Sequence, residues 1–238
     1  MDAAGRPDTT RDEGRVPVAY HRPVVHETLP PTTPVVVAII PVGDLEGAKS
    51  RLGAVLDAEE RRDLVARLAD RTIRSAVGTA GFAEVLVITP DDEVRELALR
   101  AGARPLRQRS QGLNDGIREA RDEAVAGGAT AVAILPIDLP NVSSDALGAL
   151  LSPLESAGSA RLVVIVPDRH GRGTNALLLA PPDVIDVHFG GDSRAAHVAA
   201  ATAAGVQVVE LGGPLAIDLD TPDDLLLVET VDRDLARG

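Results

Sequence analysis

From Val35 onward the chain alternates short apolar runs with stretches that repeat at helical spacing. The runs are Val35-Val-Val-Ala-Ile-Ile40, Glu84-Val-Leu-Val-Ile88, Ala131-Val-Ala-Ile-Leu135, Leu162-Val-Val-Ile-Val166, Ala176-Leu-Leu-Leu179 and Val206-Gln-Val-Val209. Short unbroken runs of this kind predict strands buried on both faces, as in a parallel sheet covered by helices on each side. Between them, Asp57-Ala-Glu-Glu60 reads as a capping-box start, and Leu64, Leu68, Ile73 and Val77 continue an apolar stripe. Further helical periods cover Asp91–Arg100, Leu113–Ala126, Ser144–Leu154, Ser193–Ala204 and Thr221–Val231. The alternation predicts an α/β fold, a three-layer α/β/α sandwich on a mostly parallel sheet. The link from Val166 to Ala176 is too short for a crossover helix. One strand of that pair is therefore expected to run antiparallel, giving a mixed sheet.

The first residues read differently. Met1 to Thr33 are polar and interrupted by Pro7, Pro17, Pro23, Pro30 and Pro31, with no apolar period. They are expected to form a disordered N-terminal extension (1–33) ahead of a single domain over 34–238. A secretory signal needs an apolar run of about 7–15 residues near the start, and a membrane span needs roughly 20. Neither pattern occurs, so a cytoplasmic protein without a membrane partner is expected.

Composition narrows the chemistry. The 238 residues are 45% hydrophobic but only 1% aromatic, so Ala, Val and Leu must fill the core. Charges sum to 24 − 36 = −12, which argues against a nucleic-acid partner, since such binders displace counterions with a basic stripe. The lack of cysteine excludes disulfides, Cys-ligated zinc, iron–sulfur clusters and thiol catalysis. Local cations or a divalent metal still permit anionic substrates, and a single lysine, Lys49, stands among many arginines.

In open α/β sheets ligands bind beyond the carboxyl ends of the strands, so the residues following each run are the candidates. After the first run comes Pro41-Val-Gly-Asp-Leu-Glu-Gly-Ala-Lys-Ser-Arg-Leu52, which matches neither a Walker A loop nor GxGxxG. Gly43 with Lys49, Ser50 and Arg51 offers amides and two cations suited to a polyphosphate; the same residues also read as a solvated turn. Pro136-Ile-Asp-Leu-Pro140 sets Asp138 at a strand tip, placed to hold a divalent cation or simply to make a turn. In Ala216-Ile-Asp-Leu-Asp-Thr-Pro-Asp-Asp-Leu225, Asp218 and Asp220 alternate along a short strand and point the same way, while Asp220 or Thr221 could equally be a helix cap. Pro167-Asp-Arg-His-Gly-Arg-Gly-Thr-Asn175 is polar and glycine-rich. Phe189-Gly-Gly-Asp-Ser-Arg-Ala-Ala-His197 leads two glycines and a serine into a helix, a small anion site with Ser193 and Arg194 beside it. Gln111-Gly-Leu-Asn114, after a basic segment from Arg104 to Arg109, could read a base or ribose through Gly112 and Asn114, or cap a helix. His170, His188 and His197 lie in or near polar loops and match no zinc spacing.

Together, Ile40-Pro-Val, Ala48-Lys-Ser-Arg-Leu52, Gly112-Leu-Asn114, Asp138-Leu-Pro140, Gly173-Thr-Asn-Ala-Leu177, Phe189-Gly with Ser193, and Asp218-Leu-Asp-Thr-Pro-Asp-Asp-Leu225 resemble, in this order, the CofC/FbiD family of guanylyltransferases. This is a branch of the nucleotidyltransferases that includes the MobA-like proteins, with a sheet like that of the nucleotide-diphospho-sugar transferases. The resemblance spans Val35 to Val231. It implies that Lys49 and Arg51 contact the GTP phosphates, that Asn114 and its loop help hold the nucleoside, and that Asp138 and Asp220, with Asp218, hold Mg²⁺. Thr174, Gly190 and Ser193 match the family's positions for a small phosphorylated three-carbon acid. Members often carry a lysine after the Pro-Val pair, where this chain has Gly43-Asp44.

The implied reaction joins GMP from GTP to the acid's phosphate and releases pyrophosphate, in coenzyme F(420) biosynthesis. Phosphoenolpyruvate is the expected acceptor, with 2-phospho-L-lactate and 3-phospho-D-glycerate as alternatives. A MobA-like enzyme acting on a larger pterin phosphate and a non-catalytic GTP-binding module are the competing readings. An open sheet edge is compatible with a homodimer.

Overall fold

Alternate residues of the apolar runs point to opposite faces of one sheet, and each face meets its own helices. The computed structural model describes residues 33–45, 49–157 and 160–225. Its strands are β1 (Val36–Pro41), β2 (Phe82–Thr89), β3 (Arg104–Arg107), β4 (Ala131–Ile134), β5 (Leu162–Pro167), β6 (Thr174–Ala180) and β7 (Gln207–Glu210). Its α-helices are α1 (Ala58–Val77), α2 (Asp92–Ala101), α3 (Leu113–Ala126), α4 (Ser144–Ala157) and α5 (Ser193–Ala203). Val36, Ala38 and Ile40 of β1 pack in one cluster with Val65 and Ile73 of α1, Val94 of α2 and Leu147 and Leu150 of α4. Val37 and Ile39 face the other way, joining Ile117, Ala120 and Ala124 of α3 and Ala201 of α5. The two clusters make the three-layer sandwich, filled by aliphatic side chains as the composition requires.

The seven strands lie in the order β3-β2-β1-β4-β6-β5-β7. β1 runs parallel to β2 and β4, β2 to β3, and β5 to β7, whereas β6 is antiparallel to both β4 and β5. The short link after Val166 thus gives the mixed sheet. It also has a functional consequence: the start of β6, at Thr174, lies at the same sheet edge as the ends of β1, β4 and β5.

Three details depart from the sequence reading. The basic segment after α2 contains an edge strand, β3, hidden by Pro105 and by its arginines; an edge position tolerates proline. The segment holding Asp218 and Asp220 forms no strand. The expected helix over Thr221–Val231 is helical at 222–225, and its remainder lies outside the described residues. So does the expected extension, apart from Thr33, where the unit holding all these elements begins. Among the described residues no helix is long and apolar enough to cross a membrane. The capping box at α1 is present: Asp57 Oδ1 accepts from the Glu60 amide at 2.9 Å, and Glu60 Oε2 accepts from the Asp57 amide at 2.8 Å.

Candidate active site

Beyond the end of β4, the Leu219 amide donates to the Asp138 carbonyl at 2.9 Å. Leu219 is fully buried against Leu52, Leu64 and Leu68, so its neighbours Asp218 and Asp220 turn the other way, beside Asp138. The helix start that follows is capped by Asp224, whose Oδ2 accepts from the amides of Asp220 at 2.9 Å and Thr221 at 2.7 Å. Burial pushes the Asp224 carboxyl up, but these amides, the Thr221 hydroxyl and the paired Arg169 outweigh it and hold it below the usual range. Because Asp224 does the capping, the Asp220 carboxylate remains available to the site.

Lys49 takes it up. Its backbone is left-handed (φ 51°) at the entrance to a 3₁₀ turn, Ser50–Ala54. Its Nζ lies 2.5 Å from Asp220 Oδ1 and 3.5 Å from Asp138 Oδ2, and Arg51 Nη1 lies 3.7 Å from Asp220 Oδ2. The Lys49 side chain is 12% exposed and that of Arg51 76%, so the first is built in and the second is free to reorient. Lys49, Ser50, Arg51 and Asp220 line a cavity of about 330 Å³. Arg51 and Asp220 also line a larger one, of about 630 Å³, with Asp138, Asp218, Thr174, Gly190 and Ser193 on its walls. Gly43 and Gly112 line neither cavity.

The carboxylates are oxygen donors of the kind a hard divalent cation takes. Asp218 has a raised pKa, first from burial and then from the charges of Asp138, Asp220 and Asp224, and its Oδ1 is buried without a hydrogen-bond partner. Yet among the described residues no group of three or more His, Cys, Asp or Glu side chains comes together so as to hold a metal ion. What the geometry offers is the pair Asp138 and Asp220 around one cationic position. That suits a magnesium ion bound by one or two carboxylates, with phosphate oxygens and water completing its shell.

The far wall of the larger cavity comes from the turn between β5 and β6 and from the start of α5. Asp168 Oδ1 accepts from the Arg172 amide at 2.8 Å and Oδ2 from the Gly173 amide at 2.9 Å. Burial raises its pKa, but the amides of Arg172, Gly173 and His170 prevail and lower it. A Cβ at Gly173 would sit 2.8 Å from Asp168 Oδ2, so a side chain there would push the Asp168 carboxylate off these amides. At α5, Gly190 has φ +134°, a region side chains rarely adopt, and its carbonyl accepts from the Ser193 amide at 3.3 Å. Ser193 is 2% exposed and faces the cavity.

Two candidate residues already have partners within the fold. Asn114 does not line either cavity; its Nδ2 donates to the Phe189 carbonyl at 2.9 Å and its Oδ1 accepts from the Phe189 amide at 2.8 Å. It clamps the Phe189–Gly190 loop. Arg194, expected beside an anion, pairs instead with Glu210 at 3.0 Å.

This arrangement has close counterparts. The family described as guanylyl transferase CofC like matches residues 36–231. The chain belongs to that CofC-like family. A phosphoenolpyruvate guanylyltransferase of Sphaerobacter thermophilus is 43% identical over 190 residues, 79% of this chain and 90% of the relative. One of Rubrobacter xylanophilus is 44% identical over 195 residues, 82% and 93% of the two chains. Among solved structures, a protein assigned as a nucleotide-diphospho-sugar transferase from Desulfovibrio desulfuricans G20 aligns with TM-score 0.67 at 18% identity, covering 84% of this chain and 88% of that one. At that identity the likeness speaks for the fold.

Within this CofC-like fold, the sequence motifs located Lys49, Arg51, Asp138, Asp220, Thr174, Gly190 and Ser193, all of which line one of the two adjoining cavities. Three contributors were passed over. Asp168 stands five positions before Gly173 in a turn-forming D-x-x-G-x-G segment, a signal that could have marked it. Asp224 stands three positions after Thr221, the spacing of a capping box with Asp in the acidic place. His197 lies on α5 one turn after Ser193 and is fully buried, a position the helical period over Ser193–Ala204 already contained.

Proposed function

We propose that the chain is a phosphoenolpyruvate guanylyltransferase that takes GTP against Lys49, Ser50 and Arg51 and the phosphorylated acid against Thr174, Gly190 and Ser193. The observation that carries this reading is the continuity of the two cavities through Arg51 and Asp220, which joins an end lined by Lys49 and Ser50 to an end where Thr174, Gly190 and Ser193 stand among Asp168, Arg172 and Asp192. An oxygen of the acid's phosphate attacks the α-phosphorus of GTP; the new P–O bond forms as the α–β bridging bond breaks, and its electron pair leaves with pyrophosphate. An ionised phosphate is already a nucleophile, so no general base is required. What the protein supplies is alignment and charge. Lys49 is held in place by Asp138 and Asp220 as a fixed positive charge for the phosphates, while Arg51 is free to turn toward the departing pyrophosphate. Asp138 and Asp220 would hold Mg²⁺, whose charge would draw the two reacting phosphates together. Ser193 and the Gly190 backbone are suited to the acid's anionic oxygens.

The test is pyrophosphate release from GTP and Mg²⁺ with phosphoenolpyruvate, 2-phospho-L-lactate and 3-phospho-D-glycerate offered separately, the product being confirmed by mass. Release with phosphoenolpyruvate is expected. Release only with another of the three would correct the acceptor, and GTP binding without release for any would favour a non-catalytic module.

A further inference from the structure

His197 is fully buried on α5, and none of the proposed chemistry uses it. Its Nε2 lies 2.9 Å from the backbone nitrogen of His188, and its Nδ1 lies 3.0 Å from Thr174 Oγ1. A backbone amide can only donate, so Nε2 must be bare, and in the neutral ring the proton must sit on Nδ1. Burial, and after it the neighbouring His188, bring the imidazole down to about 4, so the ring is neutral near pH 7. Nδ1–H therefore donates to Thr174 Oγ1. Having accepted that bond, the hydroxyl keeps its own proton, which has no acceptor among the described residues, and Thr174 lines the larger cavity. Phe189 packs edge-on against the same imidazole with ring centroids 5.2 Å apart, so the ring also sits under the loop that carries Gly190.

We propose that His197 is a positioning residue: through its Nδ1–H it sets the Thr174 hydroxyl as a donor aimed into the cavity, for an anionic oxygen of the phosphorylated acid. The orientation matters because a carboxylate or phosphate oxygen can only accept; a hydroxyl free to rotate would spend part of its time presenting a lone pair to it. The inference rests on the reading that the acid occupies the Thr174–Ser193 end of the cavity.

The substitutions that separate this role from simple packing follow from side-chain geometry. The amide of Asn reaches the position of Nδ1 and the amide of Gln reaches that of Nε2. His197→Gln should keep an acceptor for the His188 amide but lose the donor to Thr174. It is expected to raise KM for phosphoenolpyruvate about tenfold, the scale of one hydrogen bond in a dry site, while moving KM for GTP much less. His197→Asn should recover most of that loss. Thr174→Val, which removes the hydroxyl while keeping the shape, should raise KM for the acid similarly, and adding His197→Gln to it should cost little more. Imidazole ¹⁵N spectra of the folded wild type at neutral pH should report a protonated Nδ1 and a bare Nε2.

Equal damage from Gln and Asn, or additive losses in the double variant, would reduce His197 to a packing residue. A protonated Nε2 would overturn the proposal without reference to activity, even if every variant misfolded. A rise in KM with Thr174→Val but none with His197→Gln would leave the acid site standing and remove only the role of His197. No change with Thr174→Val would remove both.

Discussion

The backbone amide of Leu219 hydrogen-bonds to the carbonyl of Asp138 at 2.9 Å, and that bond holds the end of a central strand against a segment from late in the chain. Burial of Leu219 then leaves Asp220 beside Asp138 with Lys49 between them. Asp138→Asn keeps the shape and the backbone bond while removing one charge from this group. It is expected to lower the rate of pyrophosphate release by at least about a hundredfold, with a thermal midpoint close to wild type. Near-normal turnover would remove Asp138 from the metal assignment.

Lys49 and a divalent cation would draw on the same two carboxylates. Lys49→Met should therefore leave Asp138 and Asp220 with only the exposed Arg51 as counter-charge and increase the stabilisation gained from added Mg²⁺ in the absence of nucleotide. It should also raise KM for GTP more than Arg51→Met does, because Lys49 is nearly enclosed and Arg51 is not. Melting curves across a Mg²⁺ titration and steady-state kinetics would check the two halves separately.

Asn114 holds Phe189 by two bonds to its backbone. Asn114→Leu should cost about 1–3 kcal/mol of stability, the range for leaving such partners unsatisfied. Its kinetic signature should be a raised KM for the acid, since the clamped loop carries Gly190. A selective rise in KM for GTP would return Asn114 to the nucleoside role that its place in the sequence suggested.

Ser193→Ala should raise KM for phosphoenolpyruvate with little change in KM for GTP, because Ser193 lies at the end of the cavity away from Lys49. The opposite pattern in initial-rate kinetics would show that the two substrates are placed the wrong way round.

The buried His197 makes stability depend on acid. Its imidazole is lowered from 6.5 to about 4 by burial and by His188. Between those values the unfolded chain binds a proton that the folded chain refuses, so unfolding is favoured as pH falls. The contribution is fully present above about 6.5 and is lost on descending to about 4, at up to ~1.4 kcal/mol per pH unit. Urea midpoints measured across that window should fall for the wild type and show a shallower slope in His197→Asn.

Much of the architecture is a local property of the chain. The runs from Val35, Glu84, Ala131, Leu162 and Ala176 declared their strands because burial on both faces demands apolar residues, and the short link after Val166 required a reversal. Glycines at 173 and 190 and the lone Lys49 marked where the backbone must bend and where a cation stands. What the chain alone could not declare was which polar groups are already spent. Asn114 and Arg194 read as candidates from neighbouring residues, but their partners Phe189 and Glu210 lie farther along the chain, and only the folded sheet brings them within reach. The tautomer of His197 is of the same kind, set by a His188 amide and a Thr174 hydroxyl that the reversal of β6 delivers to one edge. Periodicity reports burial, which each residue experiences one by one; hydrogen-bond satisfaction belongs to pairs, and pairs distant in sequence exist only in three dimensions.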